Sequence, residues 1–426
     1  MSIDMSLSLR SVTLEKQKEM KRINFLVIST LFLTSIVLFK SPFEFYIFYI
    51  PVLALFPFFI KRLEFNKGLV AFFVIIGLAS LYGLLTESNT IGNFLKVYIS
   101  IILLYSFYYY AIAYNNFRVL PLFLLYLKFC RVIAVIGIIQ VISYTIGFTP
   151  GYDFRWLFNK YTLVANENHI RLSSIIAEPS QYAFLLAPAM FVSLYTLIYN
   201  NTVFQSRKAS LLILLTTVLT FSTHAYIVIL FSVMFVLMKK FNLIKSLVFI
   251  FILLTGFIFI YNTKPIIRER IDDSVLIIKD VHRINDRYFL SKLNNSSFTL
   301  LNNSVVALGS FSENPISGGG LGSHPVSFDK YSITRQRYLP FQDFNAMDAN
   351  SLFLRLLSEL GLLGIAIFLF VLFKFRYRNA NDTIAWVVSH GILVMLIAAL
   401  LREGHYYLSG VPLFLFMYIY IKKYGI

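Results

Sequence analysis

The chain has 426 residues, 58% of them hydrophobic and only 14% charged, with a net charge of +17. Soluble domains carry about a quarter charged residues, so this composition excludes an ordinary soluble enzyme and requires an integral membrane protein. The single cysteine, Cys130, excludes an internal disulfide framework and a multi-cysteine metal site, and it reads as an inert helix residue.

In chain order, residues 1–23 are polar and read as a cytoplasmic tail. The first apolar run has no small-residue cleavage site and reads as a retained anchor. Apolar runs of roughly 17 to 25 residues predict spans at 24–39, 43–60, 68–86, 91–113, 120–147, 174–199, 209–222, 224–238, 244–262, 351–373, 383–400 and 407–422. The short pair 209–222 and 224–238 also fits one hairpin that does not fully cross. Lys128 and Arg131 fit a fifth span that begins later, with 118–131 at the inner interface.

Basic residues flank the spans on alternate connections: Lys16 to Arg22, Lys61 to Lys67, Arg207 and Lys208, Lys239 to Lys245, Lys374 to Arg378, and Lys422 and Lys423. That bias predicts both termini in the cytoplasm. It also accounts for the positive charge without nucleic acid. The expected fold is an all-α integral membrane protein with about twelve transmembrane helices. Helices one to nine cover 24–262, with an outer loop at 148–172. A large extracytoplasmic loop covers 263–350, between helices nine and ten. Residues 351–426 hold the last three helices and a short cytoplasmic tail.

Soluble-enzyme motifs are missing. "SGGGLGS" (317–323) lacks the Lys-Ser/Thr of a phosphate-binding loop and reads as a tight turn. No HExxH, CxxC or Asp-x-Asp occurs, which disfavours metal or nucleotide chemistry, so no cofactor is expected. Polar and charged residues instead gather at the predicted outer helix ends: Lys96, Arg171, Glu178, Asn350, Glu359, Arg402, Glu403 and His405. The loop adds His324 and arginines including Arg283 and Arg287. Guanidinium groups match phosphate oxygens in a bidentate fork. A phosphate-bearing substrate reached at the outer membrane surface therefore fits, and lipid-linked diphosphates are the obvious class. Bland readings stand beside this one. Arg171 fits a snorkelling anchor, Glu178-Pro179 a helix start, "LREGHYY" (401–407) a polar turn, and His324 a surface histidine. Arg171 and Glu178 lie seven apart, two turns on one helical face if that segment is helical.

Two stretches together resemble the O-antigen polymerase and ligase superfamily. "RLSSIIAEPSQYA" (171–183) is similar to its Arg…Glu-Pro-x-x-x-Ala pattern. "ENPISGGGLGS" (313–323) followed by "DANSLFLRLLSELGLLGIAIFL" (348–369) is similar to its loop signature, through Pro315, Gly318, Gly320, Asn350, Glu359, Gly361 and Gly364. Specific residues match over about 60 positions. The resemblance implies a metal-independent glycosyltransferase of the bacterial cytoplasmic membrane whose active site faces outward. Its substrate is an undecaprenyl-diphosphate-linked oligosaccharide. Implied partners are membrane lipids and a chain-length regulator and flippase of the same pathway. The ligase branch carries a histidine just before the motif Asn, where this chain has Ala349, so the polymerase is expected. Arg283 and Arg287 stand nearest to the family's loop arginine. The expected roles are a diphosphate clamp from Arg171 and Arg402 and a carboxylate base from Glu178, with Glu403 and Asp348 behind it. Asn350, His405, Lys96, His324, Arg283 and Arg287 are expected to bind substrate. Rival readings are an O-antigen ligase, a lipid-linked oligosaccharide flippase, a peptidoglycan-type polymerase and a non-catalytic scaffold.

Overall fold

A computed structural model describes residues 2–239 apart from 42, 63–65 and 166–168, isolated residues between 251 and 279, and residues 295–425 apart from 334–343. The ninth expected span and the positions of Arg283 and Arg287 lie largely or wholly outside these residues.

The described chain is mostly helical. It begins with α1 (Ser2–Ser29), a two-stranded hairpin of β1 (Val37–Phe39) and β2 (Phe45–Tyr46), and α2 (Tyr49–Arg62). Then come α3 (Lys67–Leu85), α4 (Ile91–Tyr114) and α5 (Leu120–Thr145). They are followed by α6 (Pro179–Leu185), α7 (Ala187–Tyr199), α8 (Arg207–Val218) and α9 (Thr223–Met238). After the gap lie α10 (Asn295–Glu313), α11 (His324–Tyr331), α12 (Leu352–Lys374), α13 (Thr383–Arg402) and α14 (Val411–Tyr424).

Among the described residues, α3, α4, α5, α12 and α13 are long and apolar enough to cross a membrane. The pair α6 and α7 adds a sixth span if read as one helix bent by 59°. The protein is membrane-embedded on this measure. Other expected spans fall on shorter helices: α2 and α14 have 14 residues each, α8 has 12 and α9 has 16.

The first expected span, 24–39, is α-helical only to Ser29 and tightens into a 3-10 turn over Thr30–Phe32. The Thr30 hydroxyl bonds back to the Val27 carbonyl at 2.6 Å and contacts the Tyr108 hydroxyl at 2.8 Å. Asn159 then brackets Val37, accepting from its N–H at 2.9 Å and donating to its carbonyl at 2.5 Å, which holds the chain as a strand. The fifth helix is continuous from Leu120, with Lys128 exposed and Arg131 half-buried on it.

The segment 171–178 corrects the helical expectation: it is not helical but runs through a turn at Ser173–Ile176, with Ser174 at φ 53°, and the sixth span starts at Pro179. Two causes act. A residue before proline is driven out of the helical region, and Glu178 has φ −152° and ψ 158°. A docking strip on α5 also holds the segment open. The Gln140 side-chain carbonyl accepts from the N–H groups of Ser173 and Ser174 at 3.1 and 2.8 Å. Leu172 packs where a side chain at Gly137 would collide with it at 2.9 Å.

Breaks in two spans are each closed by protein groups, as hydrocarbon requires. Between α6 and α7, the Tyr126 hydroxyl donates to the Leu185 carbonyl at 2.7 Å and accepts from the Ala189 N–H at 3.4 Å. Within α12, Gly361 (φ 58°, ψ −148°) interrupts the helix. The glycine-rich turn fills the gap. The N–H groups of Gly319 and Gly320 donate to the Ser358 and Glu359 carbonyls at 2.9 and 2.8 Å. In return, the N–H groups of Leu362 and Leu363 donate to the Pro315 and Ile316 carbonyls at 2.9 and 3.1 Å. The turn also lies against α3: a Cβ added at Gly83 would come within 1.8 Å of the Gly319 carbonyl oxygen. The string of glycines is thus a backbone graft into a broken helix.

Candidate functional site

Four helix starts and one helix end meet at one end of the assembly. The N-terminal ends of α6, α9, α10 and α12 face the C-terminal end of α13 and its following turn, 403–407. They enclose a cavity of about 350 Å3 lined by Arg171, Glu178, His224, Asp348, Asn350, Arg402, Glu403 and His405, among others.

Local structure explains each placement. Arg171 lies in the extended strip, and its Nε donates to the Thr220 carbonyl at 3.0 Å. The Leu172 N–H likewise donates to the Leu219 carbonyl at 3.0 Å. The strip therefore caps the break between α8 and α9 and turns Ser222, Thr223 and His224 toward the cavity. Glu178 caps α6 and accepts from the Ser180 hydroxyl at 3.0 Å. Arg402 ends α13 and donates through Nη2 to the Ser296 hydroxyl of α10 at 2.5 Å. Segment 344–350 is sharply turned, with Phe344, Asn345, Ala349 and Asn350 all at positive φ. Such non-glycine strain persists only where surroundings enforce it, and it concentrates at functional sites. Gly404 permits the closest approach: a Cβ there would lie 1.6 Å from the Asp348 carbonyl oxygen.

A buried brace holds the 403–407 turn. Arg355 is 4% exposed and Glu359 is fully buried. Arg355 Nε donates to Glu359 Oε1 at 3.0 Å, and its Nη1 donates to the Gly404 carbonyl at 2.9 Å. The Tyr406 hydroxyl donates to Glu359 Oε2 at 2.9 Å, and the guanidinium lies 4.5 Å from the centre of the Tyr406 ring. Both Glu359 oxygens and the Nε and Nη1 of Arg355 thus have partners, the support a buried ion pair needs.

The carboxylates compete for charge. Burial, then Asp348 and Glu178, push the Glu403 carboxyl up to about 8. Glu178 is open to the cavity but walled by protein. Desolvation raises its proton affinity, the Ser180 hydroxyl lowers it, Asp348 raises it again, and Lys160 and Arg171 oppose. His405 Nε2 lies 3.1 Å from Asp348 Oδ2, and the His405 N–H donates to Glu403 at 3.3 Å. Burial holds the His405 imidazole below its ordinary value despite Asp348. Carboxyl groups whose environments push their affinities apart suit acid and base roles.

Of the residues singled out in the sequence, Arg171, Glu178, Asn350, Arg402, Glu403 and His405 share this cavity. Lys96 lines a neighbouring one. His324 is neither in the cavity nor on the surface: it is fully buried. Its Nε2 lies 2.9 Å from Asn303 Oδ1 and its Nδ1 lies 2.9 Å from Ser358 Oγ. Burial, aided by Arg355, holds it down to about 3, so it is neutral and ties α11 to α10 and α12. Asn303 donates both amide hydrogens to the Thr299 and Phe344 carbonyls, at 2.8 and 2.7 Å, so Nε2 is the donor to Oδ1. Sequence reasoning missed His224, the α10 groups Asn295, Ser296 and Thr299, and the Arg355 brace. The spacing of Arg355 and Glu359, one helical turn apart within a hydrophobic run, was the available signal. Among the described residues, no group of three or more His, Cys, Asp or Glu is arranged to hold a metal ion.

No protein-family model matches the chain, and no curated protein matches it significantly.

Proposed function

We propose that the chain is a polysaccharide polymerase of the bacterial cytoplasmic membrane. It transfers a growing glycan from undecaprenyl diphosphate onto the next lipid-linked repeat unit at the outer face. One observation carries the reading: a single recess at one end of a membrane-embedded helical assembly joins Arg171 and Arg402 to Glu178, Asp348 and Glu403. The sequence resemblance supports it through Arg171 and Glu178, and through Asn350 in the same cavity.

The chemistry follows from the groups present. The diphosphate already activates the anomeric carbon. Catalysis must stabilise charge on the leaving group and align the acceptor hydroxyl. Arg171 and Arg402 bind the diphosphate. Glu403, carrying its proton at neutral pH, adds no negative charge beside it and can donate to a phosphate oxygen. The acceptor oxygen attacks the anomeric carbon while the bond to the phosphate oxygen breaks with its electron pair. Glu178 takes the hydroxyl proton. The twelve-span topology, with both termini inside, belongs to the same proposal.

Arg171→Ala and Arg402→Ala are expected to leave single repeat units and no ladder on a gel of surface polysaccharide, with each protein still in the membrane. Normal ladders from either variant would remove that arginine from the clamp. A ligase is the second reading, and His405 favours it, because it brings an imidazole to the cavity although position 349 is alanine. Full-length glycan accumulating on the lipid carrier in a deletion strain would select the ligase.

A further inference from the structure

A second cavity, of about 370 Å3, lies across the His405–Asp348 pair from the first. Both cavities have Glu178, Gln181, Asn345, Asp348 and His405 in their walls. The two recesses are therefore neighbours divided by one row of polar side chains. A group-transfer site that joins two large substrates needs this plan, with a chamber for each and the reacting groups at the partition.

The second chamber differs in character from the first. Tyr46, Tyr49 and Tyr407 line it. Tyrosine offers a flat apolar face with a polar tip, the surface that a sugar ring's C–H face and hydroxyl rim match. Its charges are mostly spoken for. Lys160 is paired with Glu44 and also donates to the Tyr46 hydroxyl at 3.0 Å. Arg355 is paired with Glu359, and Asp348 with His405. Among its cations, Lys96 is the exception. Its half-buried side chain lines the chamber. Among the described residues, no hydrogen bond or ion pair engages its ammonium.

Lys96 also stands at a boundary. It lies in the second turn of α4, and its neighbours Leu95 and Ile99 are 43% and 57% exposed on a membrane-spanning helix. A cation between a polar chamber and a lipid-facing surface fits an amphiphile with an anionic joint between sugar and chain.

We infer that the second cavity is the acceptor subsite. It takes a polyprenyl-diphosphate-linked saccharide, with Lys96 against the diphosphate and the tyrosines beside the sugar. This rests on the polymerase reading of the first cavity, which then holds the donor. The acceptor hydroxyl enters from the tyrosine side and meets the donor's anomeric carbon at the partition, where Glu178 receives its proton.

The test counts bound carriers. The full chain in nanodiscs is titrated with undecaprenyl diphosphate and read by native mass spectrometry, with phosphatidylglycerol as the control for unspecific lipid. The wild type should hold two carriers. Lys96→Gln should keep one and bind the second about 10-fold or more weakly, the usual effect of losing one charge-assisted contact. Lys96→Arg should restore it, and Arg402→Gln should weaken the other. Because no hydrogen bond or ion pair engages the Lys96 ammonium among the described residues, Lys96→Gln should leave the fold intact, which an unchanged melting temperature would verify. Two carriers on Lys96→Gln, or one carrier on the wild type unaffected by the change, would overturn the acceptor subsite and leave the polymerase reading standing. No specific carrier on the wild type would overturn the polymerase reading itself.

Discussion

At the scale of single residues, Glu403 and Arg355 have consequences that can be measured. With its affinity at about 8, Glu403 is neutral below that pH and anionic above it. Ionisation adds negative charge beside the proposed diphosphate site, so KM for the lipid-linked donor should rise as pH passes about 8. Glu403→Gln should flatten that alkaline rise; an unchanged profile would remove Glu403 from the binding site. The folded chain also holds this proton more tightly than the unfolded one, whose value is about 4.3. Stability contributed by Glu403 is therefore present at low pH and lost as pH rises from about 4.3 toward 8. Arg355 acts differently. Arg355→Met strands the fully buried Glu359, at a cost of about 3–5 kcal/mol. Arg355→Met with Glu359→Met should regain much of the thermal stability yet stay inactive, because the 403–407 turn has lost its anchor. Activity in the double variant would show that the brace serves stability alone. The sequence displayed Arg171, Glu178, Arg402 and His405 as outliers among apolar residues, and the cavity unites them. Arg355 sits in an equally apolar run, but its role depends on the Gly404 carbonyl 49 positions away, which no local pattern encodes.

Among the elements, hydropathy located the long helices well. Span 68–86 matches α3 (Lys67–Leu85) and span 91–113 matches α4 (Ile91–Tyr114). It failed where a tertiary partner overrides local preference. Residues 174–178 are apolar enough for a helix, yet Gln140 and Pro179 hold them in a non-helical turn. The glycine-rich stretch read as a tight turn, and beyond that it is bonded into the break of α12. Gly83→Ala should thus be severe, since its methyl would meet the Gly319 carbonyl at 1.8 Å. Gly92→Ala, where nothing lies within 4 Å, should be silent. Comparing the two for detergent-solubilised yield and melting temperature checks the graft, and equal yields would refute it.

For the whole molecule, the arrangement puts every proposed reacting group at one end. The proposed topology makes that end extracytoplasmic. In a Cys130→Ser background, a cysteine at exposed Ser312 should react with an impermeant maleimide in intact cells. One at exposed Asn379, on the opposite connection, should react only after permeabilisation. The reverse pattern would invert the protein and remove it from any extracytoplasmic chemistry. Membrane residence and the positions of the long apolar helices were legible because burial in lipid imposes a linear code on the chain. The cavity was not, because it is assembled from connections far apart in sequence, whose proximity arises only from packing.

The reciprocal bonding of residues 315–320 with α12 bears on biogenesis. A hydrophobic segment normally enters the bilayer as a finished helix, with all its amides satisfied internally. Here α12 reaches that state only with a strip borrowed from the preceding polar loop. Synthesis runs from the N-terminus, so the strip is made before the segment that needs it and can await it at the membrane. Splitting the gene between residues 323 and 348 and coexpressing the halves would separate donor from recipient. The second half should then depend on the first for its survival, which a pulse-chase of each fragment alone and together would measure.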